Sequence, residues 1–333
     1  MLSIDAPVRL YEYRRLERLS FNWTMTYRSD STFPIPYADI VRVMPLPAPI
    51  GSPQLDRYVK YFGQKAAKST AANGNMVEGK VGLAVQFVSN CHSYSRTEAY
   101  VRELRRYVPV DIYGKCGEFK CSGDKGEVQE SNSATGIDKS NTAKTTILSS
   151  NKRGAWDCHK LVATKYKFFL AFEDSICKDF VTEKFFAMFN GDLDMVPVVF
   201  GGGNYSAIAP PNSYIDASKF GSPKALAHHL KVCLIRFLNI YIHTYIKKTN
   251  TFLLSIYPCF SFQLLDADDA KYNSYFWWRK FYRKRFNHHQ SMCDLCEKLH
   301  TDKTNHIYSD MRDWWVDQAK CSTKTIHSQD DMI

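Results

Sequence analysis

The feature that most constrains the fold of this chain is a succession of strand and helix signals that occurs twice in the same order. VGLAVQFVSN (residues 81–90) is a continuous apolar strand, and RTEAYVRELRRY (96–107) carries Ala99, Val101 and Leu104 among charges as an amphipathic helix does. VPVDIYG (108–114) is the next strand. After a polar stretch, YKFFLAF (strand), TEKFFAMFN (helix) and VPVVF (strand) repeat the pattern, closed by Gly201-Gly202-Gly203. Two β-α-β units imply a mostly parallel, doubly wound α/β sheet, whose ligands bind beyond the carboxyl ends of the strands.

The second unit carries its chemistry in FEDSICKDFVTEKFF (172–186), where two Asp, two Glu and two Lys stand between apolar segments. Thr182 is read as a helix N-cap, placing Glu183 and Lys184 in a first turn whose free N–H groups and dipole favour an anion. Arg96 opens the other helix at the equivalent edge, so two cations are expected to face one ligand. The plainer alternative makes Glu183 an ordinary first-turn acid and Lys184 a solvated side chain.

With 333 residues, 44% of them hydrophobic, the chain can bury one or two cores. A net charge of +10 favours an anionic partner without choosing among nucleic acid, membrane and phosphorylated ligand. The opening MLSIDAPVRLYEYRRLERLS lacks the apolar core of a signal peptide. The sequons at Asn22 and Asn204 fit a secretory-pathway protein. Cys293-x-x-Cys296, His300 and His306 are zinc-ligand types, but the two pairs lie far closer than in zinc fingers, so a metal is not expected. About forty polar residues around 117–154 are read as a long surface loop or a disordered insertion.

YKFFLAFEDSICKDFVTEKFF, VPVVFGGGNY and APPNSYIDASKFGSPKALAHHL closely resemble the donor-binding motif of the α1,3-fucosyltransferases of glycosyltransferase family 10. FNWTMTYRSDS, FVSNCHSYSR, VDIYGKCG, LLDADDAKYNSYFWWR and CDLCEKLH extend the match in family order. The resemblance implies a GT-B fold of two Rossmann-like domains and GDP-fucose as donor. It also implies an N-acetylglucosamine-containing glycoprotein acceptor, inversion by single displacement, and a Golgi enzyme with its catalytic domain in the lumen and an N-terminal membrane anchor. No metal cofactor is required on this reading; Mn or Mg would at most stimulate. Carried over residue by residue, Arg96 and Lys184 hold the diphosphate, and Glu183 accepts hydrogen bonds from ribose or fucose hydroxyls. Asp174, Phe180, Asn204 and Tyr205 complete the donor contacts. A fixed cation aimed at a departing phosphate lowers such barriers by roughly 3 kcal/mol per group. The family's base, a glutamate in a Glu-Ser-Pro-like motif, corresponds to Asp5, one methylene shorter. The resemblance further implies Asn22 as a glycosylation site and Cys91, Cys116, Cys293 and Cys296 as disulfide residues.

Departures from the family pattern are Asp174 for Asn, Phe180 for Tyr, and Ser29 for the second Arg of an Arg-Arg-Asp-Ser motif. A Rossmann-like domain takes on the order of 100 residues, and fewer precede Gly79, so the expected N-terminal domain is truncated. The resulting division is 1–78 (remnant acceptor-binding domain), 79–285 (GDP-fucose-binding domain) and 286–333 (helical tail). Residues 232–263 interrupt a join that the family makes directly; Arg236, His243, Lys247 and Lys248 break the run needed for a membrane helix. Its ends, Val-Cys and Phe-Gln, can be encoded as splice sites, and the segment is read as a retained intron containing Cys233 and Cys259. Two rival classes stand beside a transferase: a truncated, inactive relative that at most binds GDP-fucose, and a nucleic-acid binder. The second is disfavoured because the cations of KYNSYFWWRKFYRKRF match a late family helix in which they cover apolar surface.

Overall fold

The structure is a computed structural model and describes residues 1–3, 5–7, 20–69, 74–121, 128–130, 152–232, 264–286, 288–302 and 307–322. Twelve strands occur among them: β1 (Leu2–Ser3), β2 (Met25–Thr26), β3 (Phe33–Pro34), β4 (Asp39–Arg42), β5 (Gly82–Phe87), β6 (Val110–Tyr113), β7 (Phe119–Cys121), β8 (Val128–Glu130), β9 (Tyr166–Phe172), β10 (Val196–Phe200), β11 (Ile215–Asp216) and β12 (Tyr282–Arg285). The helices are α1 (Pro53–Ala67), α2 (Thr97–Leu104), α3 (Lys152–Ala163), α4 (Glu183–Ala187), α5 (Tyr205–Ile208), α6 (Pro223–Val232), α7 (Leu264–Ser274) and α8 (His288–Thr301).

The central sheet has the order β11-β10-β9-β5-β6-β7-β8, with every pairing parallel except β7 with β8. β9 is buried at all seven positions, which is why YKFFLAF is apolar without alternation: helices cover both of its faces. The period of two still sorts its side chains. Phe169 and Ala171 join Val85, Tyr113 and Val199 in one core, while Phe168, Leu170 and Phe172 join Ala84, Val110 and Val198 in the other. Each buried Phe contributes about 1.5–3 kcal/mol relative to exposure.

From β5 the chain crosses through α2 to β6 on one side, and later places β9 on the other. The carboxyl ends of β5 and β9 therefore flank a topological switch point, where a crevice opens. α1 begins at Ser52, whose Oγ accepts from the Leu55 N–H at 3.2 Å, and it packs on α7 so closely that a Cβ on Gly63 would enter the Ala270 carbonyl.

The first 78 residues supply β1–β4 and α1; a second Rossmann-like sheet is not among the described residues. β1–β3 form a small parallel sheet, and β4 pairs antiparallel with β12. Tyr27 packs with Phe180 and Trp315 in a third core, Phe21 bridges to Tyr308, and Cys177 is disulfide-bonded to Cys321.

Three sequence expectations need correction. The polar stretch 117–154 is not one loop: β7 and β8 form a hairpin at the sheet edge, Phe119 stacks on Tyr113 at 5.1 Å, and α3 begins at Lys152. Residues 122–127 and 131–151 lie outside the described residues, as do 233–263 with Cys233 and Cys259. The late basic run is not one helix. α7 ends at Ser274, and YRKR is strand β12, half-buried against β4. TEKFFAMFN forms only the five-residue α4.

Candidate functional site

The end of β9 organises the crevice. Lys184 Nζ pairs with Asp174 Oδ1 at 2.7 Å and donates to the Phe172 carbonyl at 3.2 Å. Thr182 occupies the N-cap of α4, but its hydroxyl does not cap; Oγ and the backbone N–H each lie 2.8 Å from an oxygen of the buried Glu173 carboxylate. With five residues, α4 carries little dipole, so the cation at this edge is the Lys184 side chain, already paired with Asp174, rather than a helix end. Burial is the largest influence on Glu173 and lifts its pKa to about 7, against the pull of Lys184 and the two Thr182 hydrogen bonds.

Arg96 follows β5 as the N-cap residue of α2 and is exposed, with a left-handed backbone (φ 53°) that a non-glycine residue adopts only under local constraint. The constraint is visible in Ser95, whose N–H donates to the Asp174 carbonyl at 3.0 Å and whose Oγ donates to the Glu173 carbonyl at 2.8 Å. The turn bearing Arg96 is thus tied to the strand end that anchors Lys184.

Beside Lys184 lies a cleft of about 570 Å³, whose walls include Asn90, Ser93, Arg102, Phe172, Asp174 and Lys184 but not Arg96. The Cys91–Cys116 disulfide forms part of its rim. A second cleft of about 640 Å³ lies near β11, with Asp216, Lys219 and His229 on its walls. The first is the better candidate despite its size, because it sits at the switch point and holds Lys184.

The remaining expected residues divide. Glu183 is exposed, and its carboxylate influences Tyr37, whose phenol is raised by burial first and then by Glu183, Asp5, Glu173 and Asp174. Asp5 is also exposed, and the fold brings it to the side of the molecule that holds Glu183. Phe180, expected at the donor, is buried, with its ring 5.0 Å from Tyr27 and 6.3 Å from Tyr37. Tyr205 is likewise buried, packed on Phe185 at 5.2 Å. Asn204 is exposed and accepts from Ser206 Oγ at 2.8 Å; Asn22 is exposed.

Arg28 is buried, donates to both carboxylate oxygens of Asp30 (2.8 and 2.6 Å) and to the Trp314 carbonyl, and stacks over the Trp314 ring. Ser29, in place of the family's second Arg, donates from Oγ to Asp179 at 2.7 Å. Cys293 and Cys296 are free, exposed thiols on α8, contrary to the disulfide expectation. No group of three or more His, Cys, Asp or Glu is placed to hold a metal among the described residues; His306 lies outside them.

Two features escaped sequence reasoning. The burial of Glu173 has no signal in the sequence beyond its adjacency to an all-apolar strand. The Cys177–Cys321 disulfide joins residues 144 apart, with no spacing signal. Cys158 is also disulfide-bonded.

A parallel sheet with a crevice at its switch point defines the open α/β class, whose ligands bind beyond the carboxyl ends of the strands. The chain belongs to glycosyltransferase family 10 (fucosyltransferase), whose C-terminal family model matches residues 77–243 and 259–314. The break at 244–258 falls inside the segment 232–263. The chain is 30% identical over 309 residues to alpha-(1,3)-fucosyltransferase C of Drosophila melanogaster, covering 91% of this chain and 56% of that protein. It is also 30% identical over 312 residues to glycoprotein 3-alpha-L-fucosyltransferase A of the same organism, covering 92% and 45%. The chain thus spans about half the length of these curated relatives. A crystal structure of an alpha1,3-fucosyltransferase with GDP-fucose aligns over 86% of this chain and 72% of its own, with a TM-score of 0.38 and 16% identity.

Proposed function

We propose that the protein is an inverting α1,3-fucosyltransferase that moves fucose from GDP-fucose to an N-acetylglucosamine of a glycoprotein glycan, its catalytic portion in the Golgi lumen. The observation that carries this reading is the joining of Lys184 and the Arg96 turn by the end of β9, beside a cleft at the switch point and within the family match. Lys184 and Arg96 would neutralise the diphosphate as GDP departs, and Glu183 would accept hydrogen bonds from sugar hydroxyls. Asp5 would take the proton of the attacking hydroxyl in a single displacement. The two cations supply the charge that a divalent ion would otherwise bring. A second Rossmann-like domain would complete a GT-B enzyme on the acceptor side. Disulfides at Cys91–Cys116 and Cys177–Cys321 fit an oxidising compartment.

A second reading, nucleotide binding without transfer, is favoured by Asp174, which already occupies Lys184, and by the short side chain of Asp5. Calorimetric titration with GDP, followed by a transfer assay with GDP-fucose and glycan acceptors, separates the two. Binding with transfer supports the first reading, and binding without transfer the second. A folded protein that does not bind GDP excludes both. Removing the charge-assisted contacts of Lys184 in K184A is expected to weaken GDP binding by at least about tenfold.

A further inference from the structure

Hydrogen bonds to both cation-bearing segments converge on the residues that end β9. Glu173 is fully buried; Oε1 accepts from the Thr182 N–H and Oε2 from Thr182 Oγ, each at 2.8 Å. Its carbonyl accepts from Ser95 Oγ at 2.8 Å, and its N–H donates to the Phe200 carbonyl at 2.9 Å. Thr182 directly precedes Glu183 and Lys184, and Ser95 directly precedes Arg96. Behind the carboxylate, a Cβ on Gly201 would stand 3.0 Å from Glu173 Cγ and 2.6 Å from Tyr205 Oη, so a side chain there would have to displace the Tyr205 phenol.

The geometry points to Glu173 as a positioning residue for the donor diphosphate: its carboxylate fixes where the Lys184 turn begins, its carbonyl fixes where the Arg96 turn begins, and together they set the spacing of the two cations. The inference rests on the donor reading above. Glu173 has no exposed surface and both of its oxygens are engaged, so it acts through Thr182 and Ser95 rather than on the substrate. A carboxyl placed in the interior is tolerated only where such partners satisfy it.

The test compares GDP with guanosine, which has the base and ribose but no phosphate, by calorimetry on the full chain. E173Q keeps the shape of the side chain but loses one acceptor; T182V loses the hydroxyl, and T182S keeps it. E173Q and T182V are each expected to weaken GDP binding about tenfold, the loss of one hydrogen bond to a charged group. Guanosine affinity should stay unchanged, T182S should match the wild type, and the double variant should be no weaker than either single one. Unchanged GDP affinity in folded T182V, or equal losses for GDP and guanosine, would overturn the positioning role. If E173Q does not fold, the T182V and T182S pair decides alone. Loss of GDP binding in K184A with none in T182V rejects this inference but spares the donor reading; a wild-type chain that binds no GDP rejects both.

Discussion

Asp174 shows how one residue shifts the balance of a site. Its carboxylate holds Lys184 at 2.7 Å, the place a phosphate oxygen would take, and the pair is partly exposed, so it is worth little in itself. D174N is therefore expected to raise GDP affinity by about threefold with little change in stability; weaker binding in calorimetry would show that Asp174 helps the site. Glu173 makes a claim about pH. Burial raises its pKa from the ordinary 4.5 to about 7, so the folded chain holds a proton that the unfolded chain releases between those values. The contribution of Glu173 to stability should fall as pH rises through about 4.5 to 7 and level off above. Urea midpoints across pH 5–8 should show a shallower slope in E173Q than in the wild type, and an unchanged slope would place the titration elsewhere. At this scale the sequence was partly legible. The positions of Lys184 and Arg96 at the starts of their helices were legible because cations at strand-to-helix junctions are visible in a linear pattern. The burial of Glu173, Phe180 and Tyr205 was not legible, because burial behind a strand end depends on how loops fold back over it.

Among the elements, β9 carries both the core and the site. Its side chains divide between two cores, so F169A, which empties a fully packed position, should cost about 3–5 kcal/mol in denaturant unfolding and weaken nucleotide binding only through lost stability. A loss under 1 kcal/mol would mean that the position is loosely packed. The parallel strands were readable because burial on both faces leaves continuous apolar runs, and α2 because its charges line one side. The β7–β8 hairpin was hidden in polar sequence, where edge strands carry little apolar signal. β12 was hidden because its pairing with β4 joins residues more than two hundred positions apart. α4 was shorter than its composition implied: Phe185 and Phe186 are apolar for the core beneath them, not for a long helical face.

At the level of the whole molecule, the N-terminal segment meets the C-terminal one, with Arg28 against the Trp314 ring, and Cys321 ties the C-terminal segment to Cys177. Opening that disulfide in C321S should cost about 2–5 kcal/mol; an unchanged melting temperature would show that the surrounding aromatic packing suffices. Deleting 232–263 restores the join expected from the family and should leave folding and GDP binding intact, whereas an unfolded product would make the segment part of the native chain. The central claim is that the crevice between the carboxyl ends of β5 and β9 binds the donor diphosphate. A crystal structure of the chain with GDP tests it most directly. The expected result places the diphosphate within hydrogen-bond reach of Lys184 Nζ and the Arg96 guanidinium, displacing Asp174. GDP seated instead in the cleft beside Asp216 and Lys219 would contradict it.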